Sequence, residues 1–209
     1  RPGPKDLSNR VWQRKKKELP VNIHFVTCSE WLAERARRSA LLCDYPVISI
    51  PNPIDTTVFL PSSAEERLQF RRQHGIGNAS LLVLFVAVKI QDERKGFRFL
   101  HQALSEIKAK HPDLNLELLM LGHTRQEDIT ALPYPAHLLG MVNDVNQLAK
   151  VYGATDLFVI PSLEDNLPNT VMEALACGTP VVGFETGGIP EMVDHRENGF
   201  IASQCDSKG

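Results

Sequence analysis

From residue 21 onward the chain alternates short apolar, β-branched runs with amphipathic stretches of helical period, and this rhythm leaves few folds open. A parallel strand covered on both faces reads as a nearly continuous apolar run, and each parallel pair needs a crossover, usually a helix. The expected fold class is therefore α/β, a parallel sheet with helices on both faces. Strands are predicted at Ile23–Cys28, Val47–Ile50, Leu81–Val88, Leu114–Leu121, His137–Leu139, Asp156–Ile160 and Pro180–Phe184, with a last short one around Phe200-Ile201. Helices are predicted at Glu30–Leu42, Ala64–His74, Phe97–Lys110, Val145–Tyr152 and Thr170–Cys177. Ser63 and Glu66 have capping-box spacing, and Gly178 stands where a left-handed C-cap belongs.

Ile50-Pro51-Asn52-Pro53-Ile54-Asp55 breaks this rhythm with two prolines and reads as a linker. The stretch before this linker is too short for a domain, and the stretch after it is a nearly complete α/β unit. Composition is that of an ordinary globular protein, 43% hydrophobic and 23% charged, with no run near the ~20 apolar residues of a membrane-spanning helix. The start, Arg1-Pro2-Gly3-Pro4, has no apolar stretch resembling a signal peptide and reads as an internal start. Cys28, Cys43, Cys177 and Cys205 form no C-x-x-C pair, which argues against a zinc knuckle or disulfide scaffold and suits a reducing cytoplasm. Residues 1 to 40 hold ten Lys/Arg against four Asp/Glu, and the run Arg14-Lys15-Lys16-Lys17 reads as a solvated helix face, with peripheral contact to anionic lipid as the alternative.

The chemistry concentrates in two loops, each following a predicted strand, where parallel sheets place their ligands. Pro161-Ser162-Leu163-Glu164-Asp165-Asn166-Leu167-Pro168 leads into a helix whose amino end favours an anion, with Asp165 in the loop and Glu173 on the first turns. A carboxylate one sugar ring away from a phosphate can accept hydrogen bonds from ribose or hexose hydroxyls. The bland reading makes Asp165 a turn residue and Glu173 a solvated helix residue. The second loop, Lys89-Ile90-Gln91-Asp92-Glu93-Arg94-Lys95-Gly96, brings Lys89 and Lys95 to the same edge as diphosphate partners, and Gly96 allows close backbone approach.

Taken together, these residues resemble the retaining glycosyltransferases of family 4, which have the two-domain GT-B fold. The resemblance rests on Asp165-x7-Glu173 followed by Ala174-Leu175-Ala176-Cys177-Gly178-Thr179-Pro180-Val181-Val182, on the linker, on Lys95-Gly96, and on Thr186-Gly187-Gly188-Ile189-Pro190-Glu191. It implies a Rossmann-like C-terminal half of a GT-B enzyme: residues 1–49 a remnant of the acceptor-side N-terminal domain, residues 50–55 the inter-domain linker, and residues 56–209 the nucleotide-sugar-binding domain with a truncated end. It also implies Asp165 and Glu173 as the catalytic carboxylates, Asp165 at the transferred sugar with neighbouring Glu164 as its rival, and Glu173 on the ribose. Lys95, Lys89 (in place of the usual arginine) and the amides of Asn166 and Leu167 are implied to bind the diphosphate.

The implied reaction moves a sugar, with retention, from a nucleoside-diphosphate sugar to a hydroxyl of a carbohydrate or lipid-linked acceptor in polysaccharide or glycolipid assembly. With the N-terminal domain absent, the chain is expected to bind donor without robust transfer. The alternatives are a GT-B nucleotide-sugar epimerase and a non-catalytic nucleotide-sugar-binding domain. No cofactor or metal is expected: the seven histidines lack metal-ligand spacing and read as structural or solvent-facing, with His123 alone expected at the cleft. No G-x-G-x-x-G follows a strand and no Walker motif is present, which argues against nicotinamide-dependent and P-loop chemistry. A nucleic-acid partner is not expected.

Overall fold

The computed structural model describes Gly3 and residues 6–203. The chain divides into two compact units, Arg1–Asn52 and Pro53–Gly209. The first holds helix α1 (Leu7–Glu18), strand β1 (Phe25–Thr27), helix α2 (Glu30–Arg37) and strand β2 (Val47–Ser49), with β1 and β2 paired in parallel. Asp6 caps α1, which buries none of its residues and leaves Arg14, Lys15, Lys16 and Lys17 exposed. Ser29 caps α2 by accepting from the Leu32 amide, and Ala33, Ala36 and Val47 form a small core.

Helix α2 is shorter than the predicted Glu30–Leu42 because Ser39 opens a separate turn, its hydroxyl accepting from the Leu42 amide. The predicted Ile23–Cys28 strand shrinks to three residues because only Phe25, Val26 and Thr27 have partners on β2.

The second unit carries α3 (Ala64–Gln73), β3 (Leu81–Lys89), α4 (Phe97–Lys110), β4 (Leu116–His123), α5 (Gln126–Thr130), β5 (Ala136–Gly140), α6 (Val145–Ala154), β6 (Leu157–Ile160), α7 (Asn169–Ala176), β7 (Val181–Phe184) and β8 (Gly199–Ala202). Six strands form one parallel sheet in the order β5-β4-β3-β6-β7-β8, the Rossmann-like α/β class expected. Successive strands step outward from β3 on one side and from β6 on the other. The topological switch point therefore lies between β3 and β6, and a doubly wound sheet opens a crevice at their carboxyl ends.

Alternation along the strands builds two cores. Leu82, Leu84, Leu119, Leu121, Phe158 and Ile160 join one core with residues of α3, α6 and α7, while Val83, Phe85, Leu118 and Met120 meet Leu100 and Leu104 of α4. Each such side chain contributes roughly 1.5–3 kcal/mol on leaving water. The capping box at Ser63 and Glu66 is formed, with the Ser63 amide donating to Glu66 at 2.8 Å, and Gly178 has φ 75° after α7. No helix among the described residues is long and apolar enough to cross a membrane. Cys28, Cys43 and Cys177 are free thiols, and Cys205 lies outside the described residues.

Candidate functional site

Three loops meet at the carboxyl edge of the sheet, after β3, β6 and β7. In the first, Asp92 organises a single 3-10 turn, Glu93–Lys95, by accepting from the Arg94 amide and pairing with its guanidinium at 2.8 Å. Gly96 ends this turn at φ 69° and starts α4. A Cβ on Gly96 would lie 1.8 Å from the Pro161 carbonyl oxygen, so the glycine is required by the approach of the second loop as well as by its own backbone. The Leu163 amide then donates to the Arg94 carbonyl at 2.7 Å, sealing the two loops.

The third loop is joined in the same way. Gly187, at φ 58°, lies so close to the second loop that a Cβ would come within 1.8 Å of the Asp165 carbonyl oxygen. The Gly188 amide donates to the Asn166 carbonyl. The loop of residues 161–168 is thus held from both sides by backbone contacts that only glycine permits.

This arrangement brings Lys95 and Asp165 together across 70 residues of sequence, Nζ donating to Oδ2 at 2.8 Å. The lysine side chain is 35% exposed and the carboxylate 16%, so the pair contributes only about 1 kcal/mol and Lys95 can be redirected by a stronger anion. Glu164 points outward and is exposed; its charge acts on Arg94 across solvent. Of the two rival acids, Asp165 is therefore the one turned toward the lysine.

Lys89 is exposed at the end of β3, opposite His123 in the ladder to β4, and His123 is also exposed. The Asn166 amide donates to its neighbour Asp165 at 3.1 Å, so a phosphate would have to compete with that carboxylate for it. Leu167 is buried. Helix α7 begins after Pro168 with no side-chain cap, which leaves its dipole available to an anion at about 0.3–1 kcal/mol, and up to ~2 when partly buried.

Glu173 lies one turn into α7, half-buried, with the Tyr152 hydroxyl donating to Oε2 at 2.9 Å. Burial pushes its carboxyl above the usual range, and the Tyr152 hydrogen bond offsets part of that rise. Cys177, further along the helix, is pushed up to about 11 by burial and by Glu173.

Sequence reasoning missed Tyr152, since nothing in a helical pattern announces which buried ring will donate to a carboxylate on another helix. It also missed the hydroxyls of Ser162 and Thr186, which are buried beside these loops without a hydrogen-bond partner among the described residues. Of the other six histidines, three make side-chain hydrogen bonds within the fold: His137 with Glu117, His101 with the Ala131 carbonyl and His195 with the Ile201 amide. Among the described residues no three His, Cys, Asp or Glu side chains gather as a metal site would need.

Cations, an uncapped helix end and two carboxylates thus lie at one edge of a Rossmann-like parallel sheet, the α/β class of GT-B glycosyltransferases. The chain belongs to the family described as "Glycosyl transferases group 1", whose model matches residues 80–209. Over 167 residues, 76% of this chain, it is 30% identical to a D-inositol 3-phosphate glycosyltransferase of Pseudarthrobacter chlorophenolicus. It spans 39% of that relative, so it covers about two-fifths of the length of such proteins.

Among solved structures, 95% of the chain superposes on half of a sucrose-phosphate synthase from Thermosynechococcus elongatus with a TM-score of 0.75 and 23% identity, a likeness of fold. The Anabaena protein Alr3699/HepE, solved in complex with UDP-glucose, matches 87% of this chain and 50% of its own at a TM-score of 0.67 and 25% identity.

Proposed function

We propose that this chain is the nucleotide-sugar-binding half of a retaining, hexosyl-type glycosyltransferase that moves a sugar from a nucleoside diphosphate to a hydroxyl acceptor. The observation that carries the reading is the junction of Lys95 with Asp165 beside the uncapped start of α7, which groups anion-binding and hydroxyl-binding chemistry at the switch point. The UDP-glucose complex of the similar Anabaena protein supports the ligand class. In this reading Lys95 turns from Asp165 to the diphosphate, Lys89 adds a second positive charge, and the Leu167 amide and the α7 amino end meet the distal phosphate.

Transfer breaks the bond between the sugar's anomeric carbon and the phosphate oxygen, which keeps the electron pair, while the acceptor oxygen bonds that carbon and passes its proton to the departing diphosphate. Charge growing on the leaving diphosphate is what the lysines and helix amides stabilise. Asp165, released from Lys95, accepts from hydroxyls of the transferred sugar, and Glu173 accepts from the ribose. No metal ion is assigned a role, because lysines and the helix end supply the counter-charge. The acceptor is placed on a carbohydrate or lipid carrier in polysaccharide or glycolipid assembly, at the cytoplasmic side of a membrane, where the exposed basic face of α1 suits anionic headgroups.

Calorimetric titration with UDP, GDP, ADP and their sugar conjugates, with and without EDTA, tests this reading. Saturable binding of one nucleotide, unaffected by EDTA and weakened by Lys95→Ala and Glu173→Ala, is expected. A folded chain that binds none of them contradicts it.

A further inference from the structure

Of the site carboxylates, Glu173 is the one tied to the hydrophobic core. Its partner Tyr152, on α6, is fully buried, and its ring packs against Phe59 and Phe158 with centroids 6.4 and 5.9 Å away. Its backbone is held as well: the Tyr152 carbonyl accepts the Thr179 hydroxyl at 2.7 Å and the Thr155 amide at 3.0 Å. The ring therefore cannot follow the carboxylate if the carboxylate moves. Its hydroxyl donates to Glu173 Oε2, while Oε1 accepts no hydrogen bond among the described residues. A free glutamate side chain samples several rotamers, whereas one anchored at a single oxygen by a fixed donor keeps the other oxygen in one place.

We propose that Tyr152 is a positioning residue for donor recognition: it fixes Glu173 through Oε2 so that Oε1 is presented to the ribose hydroxyls of the nucleotide. The inference rests on the nucleotide reading above and extends it from the residue that touches the ribose to the buried one that aims it. Deep burial raises the phenol's ionisation far above its usual range, so the hydroxyl remains a donor at any working pH. Tyr152 is the titratable group bonded to Glu173, Glu173 in turn pushes up the Cys177 thiol, and β6 and β7, packed against α7, carry no titratable residue. A merely structural phenol, satisfied by whichever acceptor lay nearest, would affect stability alone.

The test compares wild type, Tyr152→Phe and Lys95→Ala in titrations with UDP and 2′,3′-dideoxy-UDP. Phenylalanine keeps the ring packing and removes only the donor. Tyr152→Phe is expected to weaken UDP about three- to tenfold and to leave the dideoxy compound unchanged, because a mispositioned carboxylate matters only where there are hydroxyls to meet. Lys95→Ala is expected to weaken both alike. Equal loss of both ligands in Tyr152→Phe, or no loss of either, overturns the positioning role while leaving the nucleotide reading intact.

If wild type binds neither ligand, the nucleotide reading fails on its own. The carboxyl titration of Glu173, followed by 13C NMR without ligand, then decides whether Tyr152 holds the carboxylate. The expected result is a midpoint moved upward in Tyr152→Phe, and an unmoved midpoint contradicts the anchoring.

Discussion

At the amino ends of β3 and β6 an arginine and an aspartate meet in a closed network, while at the carboxyl ends of the same two strands charges and hydroxyls are left with spare capacity. Arg71, only 4% exposed, donates to the carbonyls of Ala154 and Ser80 and to Asp156, whose carboxylate also takes Arg67 and the Leu82 amide. Every strong group there has its partner inside the protein. Across the sheet, Lys95 and Asp165 form one partly exposed pair, α7 starts without a side-chain cap, and Ser162 and Thr186 keep buried hydroxyls unpartnered among the described residues. The first edge is built for stability. On the proposed function, the second gives up stability to remain open to a ligand, a trade that recurs wherever a site must keep unsatisfied polar groups.

The comparison breaks most visibly at the closed edge. Arg71→Met strands Asp156 with one partner fewer in a largely buried setting and should cost about 3 kcal/mol in chemical denaturation, with nucleotide affinity preserved in the fraction that remains folded. Next comes the glycine clamp. Gly187→Ala, which meets both a positive φ and the Asp165 carbonyl, should cost about 2 kcal/mol and also weaken nucleotide binding, because the second loop is displaced. If this variant binds normally, the clamp does not shape the site.

A subtler contrast separates Lys95→Ala, which should lower nucleotide affinity by about tenfold while changing stability by less than about 1 kcal/mol. The smallest effect concerns pH. Burial pushes the Asp156 carboxyl up, but the Leu82 amide with Arg71 and Arg67 more than offsets it and holds it below the usual range. Its stabilisation is present above the unfolded pKa and is lost as pH falls through the depressed folded value.

Glu173 has the opposite sign. Its raised carboxyl stabilises below the unfolded pKa, and that contribution is lost as pH rises through the folded value. Glu173→Gln should therefore gain stability at pH 7 and nothing once pH is below the unfolded carboxyl pKa, with Asp156→Asn costing stability at pH 7 and progressively less as pH falls through the depressed folded value of Asp156. Melting curves of both variants across that range check the reversal.

Much of this division can be read along the chain, and the rest cannot for physical reasons. The long apolar run at 81–88 could only be a doubly covered strand, and it became β3, extended by Lys89. Asp165 and Lys95 could each be placed in a loop after a strand, because strand ends fix which edge a loop occupies. Their direct bond could not be read, since it depends on how closely Gly96 and Pro161 approach. The outward turn of Glu164 and the engagement of the Asn166 amide by Asp165 were equally hidden, because adjacent loop residues share a sequence context but not a direction. Helix α5 escaped because five residues are too few for a period. The Arg71–Asp156 network was invisible for the reason that also hid Tyr152: buried polar partners are chosen by tertiary packing, here across 85 and 21 residues.

The most direct test of the central claim is to map ligand contact onto the two edges by backbone-amide NMR while UDP is titrated into the 15N-labelled chain. Saturable shifts concentrated at Lys95–Gly96, at residues 163–171 and at Gly187–Gly188, with Ser80, Leu82 and Asp156 unmoved, are the predicted result. Shifts centred on the Arg71–Asp156 edge, or spread evenly over both, would contradict the account.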